Sequence, residues 1–91
     1  LDIDYHHGNA NQELFMNDNT VFTLSIHSDP NFDYPSFTGH ISENTETNKN
    51  YIFTKGVKSD EYLELLRLAI DEIIKFQPNL IIIAFGGDTY K

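Results

Sequence analysis

The run Leu80-Ile81-Ile82-Ile83-Ala84-Phe85 constrains the fold of this chain more than any other stretch. It is apolar at every position, so a strand built from it is apolar on both faces. That pattern belongs to a central parallel strand covered by helices. The run is far too short to cross a bilayer as a helix. Ahead of it, Tyr62, Leu65, Leu66, Ala69, Ile70, Ile73 and Phe76 recur at helical spacing and predict one apolar stripe, with Glu64, Arg67, Asp71 and Lys75 off it. Ser59 reads as the N-cap, Asp60 and Glu61 meet the positive end of the helix dipole, and Pro78 ends the helix. A short strand at Asn50–Thr54, closed by Lys55-Gly56, precedes it. Strand, helix and strand together have the length of one right-handed βαβ crossover.

The first half adds two more strands. Leu1–Tyr5 reads as one, and the β-branched and aromatic run Thr20–Ile26 as another, with His27 directly after it. Between them, Asn9–Met16 predicts a short helix with Asn9 as N-cap and Leu14 and Phe15 as its apolar face, ended by the turn cluster Asn17-Asp18-Asn19. Strands alternating with helices mean a parallel α/β sheet. At 91 residues the chain is at most one small domain, with no internal repeat or linker. From Ser28 to Asn48 the pattern lapses into a long loop. Its aromatic half, Phe32-Asp33-Tyr34-Pro35-Ser36-Phe37, is expected to line a pocket. Its polar half, Ser42–Lys49, reads as a surface excursion, and His40 as a solvent-facing side chain.

Chemistry gathers where an open parallel sheet binds ligands, beyond the carboxyl ends of its strands. On a strand from Leu1, the residues Asp2, Asp4 and His6 share one side. Ser25 and His27 end the second strand, and Gly86-Gly87 lets the chain turn so that Asp88 swings back over the same edge. Asp4, His6 and Asp88 would form a site of two carboxylates and one imidazole with room for water. Such donors suit zinc, iron or manganese better than magnesium. Each residue also has an ordinary reading: Asp-x-His pairs are common, Asp88 could cap a turn or helix, and Ser25 could simply end a strand. With no cysteine, disulfides and thiolate metal sites are excluded. The net charge of −8 argues against a nucleic-acid partner and suits cationic ligands, or serves only to keep the protein in solution. No membrane span or signal peptide is visible, and a cytoplasmic location is expected. The opening, inside a strand and without methionine, reads as a piece of a longer chain.

These residues resemble a known family. Asp2-Ile3-Asp4-Tyr5-His6-His7-Gly8-Asn9, then Ser25-Ile26-His27, Tyr34-Pro35 with Thr38-Gly39, and Phe85-Gly86-Gly87-Asp88 are similar, in order and spacing, to the zinc-dependent histone deacetylase and acetylpolyamine amidohydrolase superfamily. The resemblance implies a three-layer α/β/α arginase/deacetylase-like fold, of which residues 1–91 are a central portion of a single catalytic domain. It implies Zn2+ held by Asp4, His6 and Asp88. Asp2 would orient a catalytic histidine outside this chain. A structural K+ would be bound by Asp2, Asp4, His6, Ser25 and Ile26, and a peripheral cation by Phe15, Asp18 and Val21. Tyr34 would be an aromatic wall of the acyl-lysine tunnel. Asn9 matches the asparagine of the class II-like and polyamine branches.

The implied reaction is hydrolysis of an acetyl amide, with zinc polarising the carbonyl and water, a histidine as base and a tyrosine hydroxyl at the oxyanion. The implied partner is a small cationic acetylated substrate or an acetyl-lysine protein, and a homo-oligomer is left open. The family's tandem histidines lie upstream of this opening motif and its tyrosine downstream of the zinc aspartate, so these 91 residues alone are not expected to turn over substrate. His6-His7 is not that pair. Ala10 stands at a common glycine and Ile52 at a common proline. A second reading is a non-catalytic deacetylase-like domain that binds acylated or cationic ligands. The two-metal arginase branch expects Asp-x-His-x-Asp, and Gly8 stands at the last of those positions.

Overall fold

A computed structural model describes residues 1–89. Two strands are regular: β1 (Thr23–Ser28) and β2 (Asn48–Phe53), paired in parallel with Ser25 opposite Asn50 and Ile26 opposite Tyr51. Two further extended segments continue the sheet beyond β1. Asp2 bridges Ser25 on one side and Ala84 on the other, both in parallel. Asp2 N donates to Leu24 O at 2.8 Å and Ile26 N to Asp2 O at 3.0 Å, while Ile3 N donates to Ala84 O at 3.0 Å. The spatial order is therefore 80–85, 1–3, β1, β2, all parallel, as the alternation of elements predicts.

Two helices flank it, α1 (Asn9–Phe15) and α2 (Ser59–Phe76). Side chains alternate along a strand, so the two faces of the sheet differ in chemistry. Leu24, Ile26 and Phe53 face α2 and form the apolar core with its Ala69, surrounded by Tyr62, Leu65, Leu66 and Ile73. Phe53 meets Tyr62 edge-on with ring centroids 5.5 Å apart. The opposite face carries Ser25, His27, Asn48 and Asn50, all buried, under α1 and the long loop. One layer of helix on an apolar face and one on a polar face give α/β/α stacking within this short chain.

Several boundaries differ from the sequence reading. His27 and Ser28 belong to β1, and β2 begins at Asn48 because Asn48 and Asn50 face the buried polar layer. Helix α1 starts after Gly8, so Asn9 is its first residue, and Leu14 points to solvent at 74% exposure. Lys58 rather than Ser59 is the cap of α2, with no side-chain capping bond. Ile70 is exposed and lies off the buried stripe. The polar half of the long loop is ordered: it holds a 3-10 turn at Ile41–Glu43, whose carboxylate and neighbouring amides are hydrogen-bonded. His40 is half-buried, its Nε2 3.3 Å from Ser36 O.

The run Leu80–Phe85 is parallel and extended as the sequence predicts, and among the described residues it pairs with residues 1–3. Leu80, Ile81, Ile82, Ile83 and Phe85 are all exposed. Helix α2 covers β1 and β2, so no described element lies over this run. Among the described residues, no helix is long and apolar enough to cross a membrane.

Candidate metal centre

Past Ile3 the backbone leaves the extended conformation and bends through Asp4, Tyr5 and His6. Simple strand alternation therefore stops at the point where the chemistry begins. The bend is tied down by side-chain acceptors: Asp2 Oδ1 takes Asp4 N–H at 3.0 Å, and Asp4 Oδ1 takes His6 N–H at 3.2 Å. Asp88 arrives from the other end of the chain, and its Oδ1 accepts Tyr5 N–H at 2.9 Å. One ligand atom each from Asp4, His6 and Asp88 falls within 4.8 Å of the others. Two carboxylate oxygens and an imidazole nitrogen at that separation can close on a single ion with small side-chain rotations, and they are zinc's usual donors. The residues fit the group implied by the resemblance.

Glycines make the close approach feasible. A Cβ on Gly86 would overlap Asp4 Oδ2 and lie 2.9 Å from Asp4 Cγ and 3.1 Å from Asp88 Oδ1. A Cβ on Gly8 would likewise overlap Asp2 Oδ2 and lie 3.0 Å from Asp2 Cγ. Asp2 is not part of the converging triplet; it sits behind it, in the sheet. Burial pushes its carboxyl up, while the Asp4 N–H opposes that rise.

Ser25 and Ile26 lie beside Asp2 in β1. Ser25 Oγ accepts Gly8 N–H at 3.3 Å and is 2.8 Å from His27 Nδ1. His27 Nε2 is 2.8 Å from Gly39 O, which can only accept. The His27 proton is therefore on Nε2, and Ser25 donates to Nδ1. Fully buried, His27 is held neutral, its pKa lowered by desolvation to about 4. Phe15, Asp18 and Val21 share one turn, in which Asp18 N donates to Phe15 O at 3.0 Å and Val21 N to Asp18 O at 3.2 Å. Tyr34 is exposed at the site's rim, its ring edge-on to His6 with centroids 6.0 Å apart. Asn9 follows the bend as the first residue of α1.

Sequence reasoning did not single out the polar layer beneath this site. His7, Gln12, Asn48 and Asn50 are buried there together. His7 Nε2 is 3.1 Å from Gln12 Oε1, which also accepts from Asn48 Nδ2 at 3.0 Å and Asn50 Nδ2 at 2.9 Å. Burial lowers the His7 pKa. Nothing local separates Gln12 from its exposed neighbour Asn11; only the packing of α1 on β1 and the bonds of Gln12 to Asn48 and Asn50 do.

Residues 1–91 match the histone deacetylase domain family. Acetylpolyamine amidohydrolase 2 of Pseudomonas aeruginosa is 38% identical over 96 residues, covering 100% of this chain and 28% of that protein. The acetylpolyamine amidohydrolase of Mycoplana ramosa is 32% identical over the same shares. Among solved structures, the acetylpolyamine aminohydrolase from Burkholderia pseudomallei superposes with a TM-score of 0.95 at 31% identity, covering 98% of this chain and 28% of that one. A histone deacetylase homologue complexed with SAHA gives 0.86 at 30% identity, over 90% and 24%. The chain thus spans about 28% of the length of the curated relatives it matches.

Proposed function

Because the chain belongs to the histone deacetylase domain family, we propose that the protein hydrolyses acetyl amides through a zinc centre held by Asp4, His6 and Asp88. The observation that carries this reading is the meeting of those three ligand atoms within 4.8 Å, although Asp88 comes from the far end of the chain. A zinc ion bound there would act as a Lewis acid toward an amide carbonyl and toward water.

The chain's own residues would do the rest of the positioning. Asp4 and Asp88 each spend one oxygen on a backbone N–H, which fixes the carboxylate plane and leaves the other oxygen free. Asp2, half-buried behind them, would hold a histidine supplied from outside residues 1–91 in the orientation a general base needs. Potassium coordinated by Asp2, Asp4, His6, Ser25 and Ile26 would brace the same bend, and Phe15, Asp18 and Val21 would take a peripheral cation. Tyr34 would flank the acyl chain beside His6. The net charge of −8 favours a cationic substrate, an acetylpolyamine ahead of an acetyl-lysine protein.

The test is the full-length protein, assayed side by side with acetylpolyamines and acetyl-lysine peptides and analysed for metal. We expect bound zinc and hydrolysis, both lost in Asp4→Ala and in Asp88→Ala. Stoichiometric zinc in either variant would reject the ligand assignment, and binding of acetylated ligands without hydrolysis would favour a non-catalytic deacetylase-like domain.

A further inference from the structure

Tyr34 stands in a loop held at its two ends. At the first end, Asp33 Oδ2 accepts from Ser28 Oγ and from Tyr5 OH at 3.4 Å, and Asp29 N donates to Phe53 O at 3.0 Å. Between the ends Pro35 is buried and anchors the backbone, while the Tyr34 and Phe37 side chains are exposed and packing does little to fix them. The second end is organised by one carboxylate. Glu43 Oε1 accepts from Thr38 Oγ1 at 2.8 Å and Gly39 N at 3.0 Å, and Oε2 from His40 N at 3.2 Å. Burial alone would raise the Glu43 pKa, but these donors outweigh it and hold it at about 2.

This knot reaches the protein's interior through Gln12. Its Nε2 donates to Glu43 Oε1 and to Thr38 Oγ1, the latter at 3.0 Å, while its Oε1 receives His7, Asn48 and Asn50. A primary amide suits this place because it presents two donors on one side and an acceptor on the other. One side chain joins α1, which begins three residues after His6, to β2 and to the loop that carries Tyr34. Gln12 is 6% exposed, so these bonds are made away from competing water.

We propose that Gln12, through Glu43, is a positioning residue that sets the Tyr34 loop against the metal-bearing bend and so governs substrate binding without touching substrate. The proposal rests on the deacetylase reading for its kinetic consequence only. Gln12→Glu keeps the acceptor toward Asn48 and Asn50 but turns a carboxylate on Glu43. Combined with Glu43→Gln, it removes the like-charge contact, lets the amide at 43 donate to the carboxylate at 12 and keeps an oxygen for His40 N–H, while Gly39 N–H loses its acceptor.

In the full-length protein, Gln12→Glu is expected to raise KM about tenfold by loosening the Tyr34 loop, while kcat and zinc content hold. Glu43→Ala is expected to do the same, and the Gln12→Glu/Glu43→Gln pair to return KM towards wild type. Amide exchange at Gly39 and His40 should speed up in Glu43→Ala and in Gln12→Glu, and in the double variant recover at His40, whose acceptor is kept. This second readout decides the matter if Gln12→Glu alone fails to fold, through Glu43→Ala, or if the wild-type protein hydrolyses no acetyl amide, which would defeat the deacetylase reading instead. Unchanged exchange in Glu43→Ala, or a double variant no better than Gln12→Glu, would overturn the role of Gln12.

Discussion

Gly86→Ala places a single methyl group against two of the three converging side chains, Asp4 and Asp88. Gly86 is not among the positive-φ glycines, so alanine meets no backbone penalty there and the effect is steric. The new Cβ would lie 2.9 Å from Asp4 Cγ and would overlap Asp4 Oδ2. Unstrained carbon pairs sit at about 3.5 Å or more, so the Asp4 Cγ must retreat by roughly 0.6 Å and the overlapping Oδ2 by more. Metal–ligand distances tolerate only about ±0.2 Å, so the ligand would leave its coordinating position. Perturbing a metal site from its supporting shell typically costs 10- to 100-fold in affinity, and here about 100-fold is expected, roughly 2.7 kcal/mol. Zinc affinity of the full-length protein, measured by competition with a chromophoric chelator, reads this directly. Gly56→Ala is the control: its φ of +87° carries a backbone cost, but a Cβ there meets nothing within 4 Å. It should lose about 1 kcal/mol of stability and keep its zinc affinity. Wild-type affinity in Gly86→Ala would refute the claim that this glycine exists to let Asp4 and Asp88 converge.

Two further outcomes follow from the polar layer. In Gly39→Ala a Cβ would stand 2.7 Å from His7 Cγ and 2.8 Å from His27 Nε2, at a φ of +96°. Strain and overpacking together should cost about 3 kcal/mol in denaturant unfolding, and a loss below about 1 kcal/mol would contradict the packing described. Glu43 has a folded pKa of about 2 against an ordinary 4.5, so its stabilising bonds are fully present above 4.5 and are lost as pH falls through about 2. Glu43→Gln should therefore flatten the stability profile across that acidic window, and an unchanged profile would count against the network.

The convergence of Asp4, His6 and Asp88 was legible in the sequence because each member stands at a recognisable strand end or glycine turn. Asp4 and His6 follow an apolar start, and Gly86-Gly87 precedes Asp88, so the spacing itself points all three to one edge. The buried polar layer was not legible. Gln12 reaches Asn50 across 38 residues, and nothing in either neighbourhood marks them as partners. Ser42–Lys49 reads as a solvated loop from composition alone, yet the structure folds it around Glu43.

The sequence by itself determined the parallel α/β class, the elements and the family, since hydrophobic periodicity and motif spacing are properties of the chain taken locally. Only the tertiary structure decided which face of the sheet is apolar and which polar, and which distant side chains meet in the buried polar layer. Alternation along a strand is a local property of the chain, whereas the element that covers each face is set by packing across the whole molecule.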